Sequence, residues 1–448
     1  MMTILARRAA LLLGLCGLAL AGPGRAWAQE EPAVELCPAA VERGILTAPG
    51  GWLLNGADFN DDYRLPDVAV GELGRLVDAL SARGVALALV LLPTRGVAVP
   101  AAETVASTKG YDLAKARASY QAFLETFEDM GVITVDLGAL AVPGQLPEPF
   151  FFARDHHWTP TAAQATASLI AAKVADLPVA ARLPRGLFRS ERKVEAPRTW
   201  PGSNGTTVQG ICPGLALPDL SHPVMHTVRL DPPELGLLDD APTPSVVVTG
   251  TSNSSWSFNF SGYLSEALST DVLRVFEGGA GPLSSLMGYL RSDDYVTSPP
   301  ALIVWEWQVT EVWVRRPDTP LLDDMSAFQQ LVPSAYGPCP QPVLQGSATL
   351  RAGETVLLQA LEDAGPVPAN SYLVIETDSP SLNRFDLVSR HSEGQEDRYE
   401  IAYYGRVDQT GRFYQELRAQ DALGTLVMEV PEGVEGRVET TLCGPPAL

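Results

Sequence analysis

Ser245-Val-Val-Val-Thr-Gly-Thr-Ser-Asn253 is a run of apolar and β-branched residues that stops at a glycine and a serine. β-Branched side chains favour extended backbone, and an unbroken apolar run marks a strand buried on both faces of a parallel sheet. Phe258 to Leu268 then shows helical spacing, so the segment reads as strand, tight turn, helix. A serine on such a turn carries its hydroxyl at the carboxyl end of the strand, where amides of the turn and helix can stabilise an oxyanion. Ordinary turns and phosphate-binding loops share this pattern, so catalysis is one of three readings of the segment.

Three more runs look like strands of the same sheet: Val85 to Leu92, Val132 to Leu137 and Ala301 to Trp305. Helical patterns lie between them at Gly71 to Arg83, Ala114 to Met130 and Thr161 to Asp176. Strands alternating with helices predict an α/β fold, a parallel sheet covered by helices. The character changes toward the carboxyl end. Alternating runs at Ala348–Val356, Ser371–Ile375, Tyr399–Tyr404 and Thr425–Val430 are broken by Gly, Pro and Asp, which predicts a small all-β sandwich. At 448 residues the chain exceeds the roughly 250–300 at which one core stops growing. The expected division is residues 29–332, a Pro-rich linker at 333–342, and 343–448.

Met1 to Ala28 has the layout of a secretory signal peptide: Arg7 and Arg8, an apolar run from Ala9 to Ala21, and Ala26-Trp27-Ala28 as cleavage site. The run is shorter than the roughly 20 residues of a membrane span. Export into an oxidising compartment makes Cys37, Cys212, Cys339 and Cys443 candidates for disulfides. Cys37–Cys212 and Cys339–Cys443 is the pairing that respects the domain boundary. The chain holds 32 Lys and Arg against 53 Asp and Glu, a formal charge of −21. Such a surface repels nucleic acid, which is not an expected partner.

Arg154-Asp155-His156-His157-Trp158 is the second chemical cluster, with Thr159 and Pro160 placed to start the next helix. In an extended segment Asp155 and His157 point to one side, where a carboxylate can orient an imidazole that takes a proton from serine. His156 then points away. Two other readings stand beside this one, a metal site built on Asp-His-His and an inert surface turn. His222 and His226 are four apart, but Pro218 and Pro223 argue for a loop, and no Glu completes a zinc motif.

Together these stretches resemble the periplasmic alginate O-acetyltransferases of the AlgX and AlgJ type, an SGNH-hydrolase-like group. The resemblance runs through GWLLNGADF (Gly51–Phe59), LPTRG (Leu92–Gly96), DHHWTP (Asp155–Pro160), VTGTSNS (Val248–Ser254) and IVWEW (Ile303–Trp307), in the family's order. It implies an SGNH-hydrolase-like sheet followed by a sandwich like a carbohydrate-binding module. It also implies Ser252 as nucleophile, His157 as general base and Asp155 as its orienting carboxylate. Candidate oxyanion donors are the amides around Ser252, Asn253 among them, and Gly279. The expected activity is acetyl transfer to hydroxyls of an exported polysaccharide, with no cofactor and no metal. A carbohydrate acetylesterase and a non-catalytic glycan-binding scaffold are the alternatives. Implied partners are the polysaccharide, a membrane-bound O-acetyltransferase and export-complex proteins. The tail departs from expectation for an acidic glycan, because residues 338–448 contain neither Lys nor Trp. Its candidate sugar contacts are Tyr403, Tyr404, Arg406, Arg412 and Tyr414.

Overall fold

The computed structural model describes residues 33–446 except 101, 103–104, 106–109, 195, 234–242, 313–324, 360–365, 392–393, 403–409 and 420–422. The expected signal peptide lies outside the described residues, as do Tyr403, Tyr404 and Arg406.

Five strands form the first sheet: β1 (Ala86–Leu92), β2 (Ile133–Thr134), β3 (Val246–Gly250), β4 (Val272–Phe276) and β5 (Leu302–Gln308). Their order is β4-β3-β5-β1-β2, and every pair is parallel. β3 and β5 are buried along their whole length, as expected of central strands with helices on both faces. α1 (Asp67–Ala82), α2 (Leu113–Asp129), α3 (Pro160–Ala175) and α4 (Phe260–Leu268) flank this sheet, with α3 packed on α4. Among the described residues no helix is long and apolar enough to cross a membrane.

Two elements differ from the sequence reading. The strand expected at Val132–Leu137 shrinks to Ile133–Thr134, because the Asp136 side chain accepts the Ala139 N–H and starts a short helix at Leu137. β4 was not anticipated. It is an edge strand whose central Arg274 is exposed, so it lacks the uninterrupted apolar run of its neighbours.

The second unit is a sandwich of two four-stranded antiparallel sheets. One joins Pro342–Leu350, Gly436–Cys443, Tyr372–Thr377 and Arg412–Glu416; the other joins Gly353–Gln359, Leu423–Val430, Arg384–His391 and Glu396–Ala402. Leu373, Ile375, Leu387, Ile401, Phe413 and Met428 fill the space between them.

The expected linker at 333–342 needs correction at its start. α5 (Met325–Tyr336) runs through Pro333, which is buried inside it. Packing of this helix against α1 and against Arg412–Glu416 outweighs the amide hydrogen that proline lacks. Only Gly337–Gln341 remains as connector, and Cys339 within it is bonded to Cys443. Cys37 is bonded to Cys212. An Arg75–Glu416 ion pair at 2.5 Å also joins the two units.

Candidate active site

Asp155 and His157 sit at the tip of a tight hairpin closed by a Phe151–Trp158 bridge. Within it the Phe152 N–H donates to the His157 carbonyl at 3.2 Å, and the Asp155 N–H to the Phe152 carbonyl at 3.3 Å. The segment is a turn and not the extended stretch expected from the sequence. The two side chains still meet, because Asp155 Oδ1 accepts both the His157 backbone N–H at 2.9 Å and Nδ1 at 2.5 Å. Thr159 caps α3 through the Ala162 N–H, and Pro160 follows at its first position.

The hairpin is held from three sides. Arg95, 3 % exposed, donates to the carbonyls of Leu53, Phe152 and Ala153 at 2.8–2.9 Å. Trp158 donates its indole N–H to the Asn253 carbonyl at 2.9 Å, and Gln308 donates to the His156 carbonyl at 2.8 Å. The other oxygen of Asp155 accepts the Trp200 indole N–H at 2.9 Å and the Ser203 backbone N–H at 2.7 Å. Ser203 opens the Ser203–Ile211 helix, whose amino-terminal end favours negative charge. Burial works to raise the Asp155 pKa, but the hydrogen bonds and charge of His157 and the Trp200 N–H outweigh it and hold the carboxyl well below the usual carboxylate range.

Gly202 lets this helix approach. It has φ +86°, and a Cβ there would lie 2.2 Å from the Arg154 carbonyl oxygen. That same oxygen accepts the Asn204 and Gly205 N–H groups at 3.1 Å.

Ser252 follows β3 on a short turn, and its Oγ lies 2.7 Å from His157 Nε2. Its own backbone N–H meets no acceptor among the described residues. Glu306 shapes the turn from the neighbouring strand, where it pairs in register with Gly250. Its carboxylate, fully buried, accepts the Thr251 N–H at 3.0 Å, the Thr251 hydroxyl at 3.0 Å and the Ser254 hydroxyl at 2.8 Å. A Cβ at position 250 would stand 2.5 Å from Glu306 Oε2, so glycine is required by close approach. Burial pushes the Glu306 carboxyl up to about 7, against the pull of the Ser254 and Thr251 hydrogen bonds.

A buried carboxylate, an imidazole and a half-exposed hydroxyl thus form one hydrogen-bonded line, chemistry suited to activating a serine oxygen. The description "SGNH hydrolase-like domain, acetyltransferase AlgX" matches residues 45–309, more than half of the chain. The chain belongs to that family. Its curated relatives include the alginate biosynthesis protein AlgX of Pseudomonas fluorescens, 28% identical over 92% of this chain and 88% of that protein. AlgX of Pseudomonas aeruginosa is 27% identical over 98% of this chain and 95% of its own. The probable alginate O-acetylase AlgJ of Pseudomonas fluorescens is 26% identical, covering 59% of this chain and 67% of its own. The solved structure of Pseudomonas aeruginosa AlgX superposes with a TM-score of 0.77 at 24% identity, over 92% of this chain and all of that one, a likeness of fold.

In this AlgX-family chain the other expected site residues fall in different places. Gly279 lies at φ +83° in the turn after β4, and a Cβ added at the preceding Gly278 would stand 3.5 Å from Ser252 Cβ. The donors of Asn253 are engaged within the turn: its backbone N–H and side-chain amide both donate to Thr251 Oγ1, at 3.3 and 3.2 Å. It braces the turn, which corrects its reading as an oxyanion donor. His156 does not point away either. Its ring lies 3.9 Å from that of His157, and its Nδ1 is 2.7 Å from Ser203 Oγ. The donor atoms of Asp155, His156 and His157 lie within 4.8 Å of one another, yet both Nδ1 atoms are engaged inside the protein. His222 and His226 flank Pro223 on two short strands, with His222 packed among Phe152, Trp200 and Phe258.

The expected sugar contacts in the tail also change. Tyr414 is fully buried against the first unit, so it presents no face to a glycan. Arg412 is spent on Glu376, Asp293 and the Arg291 carbonyl, which makes it a joint between the units.

Trp200, Ser203, Gln308 and Glu306 were not singled out from the sequence as site residues. A signal existed for Glu306 alone, a carboxylate inside an otherwise apolar strand, since an unpaired charge there is costly.

Proposed function

We propose that this chain is an O-acetyltransferase that moves acetyl groups onto hydroxyls of an exported polysaccharide, alginate or a related exopolysaccharide. The supporting observation is the continuous Asp155–His157–Ser252 hydrogen-bonded line at the carboxyl end of the central strands. The names carried by its AlgX and AlgJ relatives support the same class of substrate.

His157 takes the Ser252 proton as Oγ attacks the carbonyl carbon of an acetyl donor. Negative charge on the tetrahedral oxygen is met by the free Ser252 N–H and the turn around Gly279. The donor's oxygen leaves with the proton from His157, and the acetyl group stays on Ser252. A sugar hydroxyl then passes its proton to His157 and attacks the acyl carbon; Ser252 leaves and regains that proton. Asp155 remains ionised throughout and steadies the imidazolium.

The reaction belongs outside the cytoplasm in this reading, in the periplasm after removal of residues 1–28. The two disulfides support an oxidising compartment. A membrane-bound acetyltransferase is the proposed source of acetyl groups. The test is to incubate the full chain with an activated acetyl ester and deacetylated alginate, then weigh the glycan. Acetyl mass on the glycan is expected; release of acetate alone contradicts transfer.

A further inference from the structure

The turn after Ser252 carries an aromatic side chain that the acetyl chemistry does not use. Trp256 is 54% exposed, whereas Trp158, Trp305 and Trp307 nearby in the fold are completely buried. Two residues on, the Phe258 ring lies 5.2 Å from that of His157. One short turn therefore touches the imidazole with one aromatic and faces solvent with another. Arg198 fixes it there: its guanidinium lies 5.6 Å over the Trp256 ring and 5.4 Å over that of Trp200, and it donates to the Ser257 hydroxyl.

Trp256 forms one wall of a groove of about 410 Å³ that follows the edge strand β4. Lys193, Arg229 and Arg274 line it, with Asp271 among them. Asp271 and Asp231 pair with Arg229. Lys193 and Arg274 have no carboxylate partner among the described residues, and Arg274 rests on the Phe276 ring at 5.4 Å. Cations with no carboxylate partner among the described residues, beside an exposed indole in a chain of formal charge −21, make a local positive site suited to an anion. An aromatic face packs on the apolar face of a sugar, while Lys and Arg at a short distance suit the sugar's carboxylates.

We infer that this groove binds an acidic oligosaccharide, with one sugar face on Trp256 and uronate carboxylates on Lys193 and Arg274, and leads the strand toward Ser252. The inference rests on the proposed acetyl transfer for its direction toward Ser252. It assigns a glycan-recognition site to the first unit.

The test uses the full chain with Ser252→Ala, titrated by calorimetry with a mannuronate oligomer and with a neutral cello-oligosaccharide. The acidic oligomer is expected to bind at least about tenfold more tightly, and more weakly at high salt. Trp256→Ala and Arg274→Glu are each expected to weaken it about tenfold, whereas Arg437→Ala in the sandwich leaves it unchanged. Should either groove variant melt early, Lys193→Glu, a half-buried side chain at the rim, replaces it. Equal binding of the two oligomers, or loss through Arg437→Ala with the groove variants unaffected, overturns the inference. Ester turnover by the Ser252 chain is measured separately. Turnover without groove-dependent binding sinks the subsite alone; groove binding without turnover sinks the enzymatic reading alone.

Discussion

Glu306 reaches across from the neighbouring strand to accept the backbone N–H of Thr251 at 3.0 Å, one residue before the nucleophile candidate. The same carboxylate holds the Ser254 hydroxyl two residues after it. Ser252 is thus bracketed by two anchors on one buried acid, which makes Glu306 a positioning residue for the turn.

Glu306→Ala leaves those donors buried without an acceptor, at about 1–3 kcal/mol each. The expected result is a clear drop in melting temperature and a large fall in kcat on a chromogenic acetyl ester. Glu306→Gln keeps an oxygen for Thr251 and Ser254 and is expected to retain much of both. Its pH behaviour also separates it from the parent. The Glu306 pKa is raised from 4.5 to about 7, so this group's favourable contribution is complete below about 4.5 and is lost as pH rises toward 7. Thermal melts from pH 4 to 8 should show that loss in the parent and its absence in Glu306→Gln.

Trp200→Phe removes the indole N–H from Asp155 Oδ2 while keeping an aromatic ring beside Phe152. We expect kcat to fall about tenfold with KM little changed, since the loss concerns the orientation of His157 and not substrate contact. The depressed Asp155 pKa contributes stability above the ordinary value of 3.8, and this is lost as pH falls through its lower folded value. With one hydrogen bond gone, that contribution should be smaller and its loss complete at a higher pH, readable in acid unfolding curves.

The parallel sheet was legible because β1, β3 and β5 are buried on both faces and announce themselves as apolar runs. β4 was not, because an edge strand carries polar side chains such as Arg274. Ser252, His157 and Asp155 could be singled out because each stands in a short segment with a chemical signature. Their supports could not. Trp200 and Ser203 lie more than forty residues beyond Asp155 and act through single hydrogen bonds, which leave no periodicity in sequence. Pro333 misled for a physical reason: proline disfavours helix locally, but burial of α5 between two units decided the outcome.

Gly202→Ala puts a methyl group against the Arg154 carbonyl at a backbone angle that L-residues avoid. The cost is expected to be about 1–3 kcal/mol or more, with the Ser203 N–H drawn off Asp155. Denaturant melts give the stability change, and ester turnover should fall further than the stability loss explains.

The most direct measurement is mass spectrometry of the chain quenched during turnover of an activated acetyl ester. One acetyl group on the peptide bearing Ser252 is predicted, absent in Ser252→Ala and discharged when glycan is added. Undiminished turnover by Ser252→Ala, or an acetyl group carried stably elsewhere, would contradict the account.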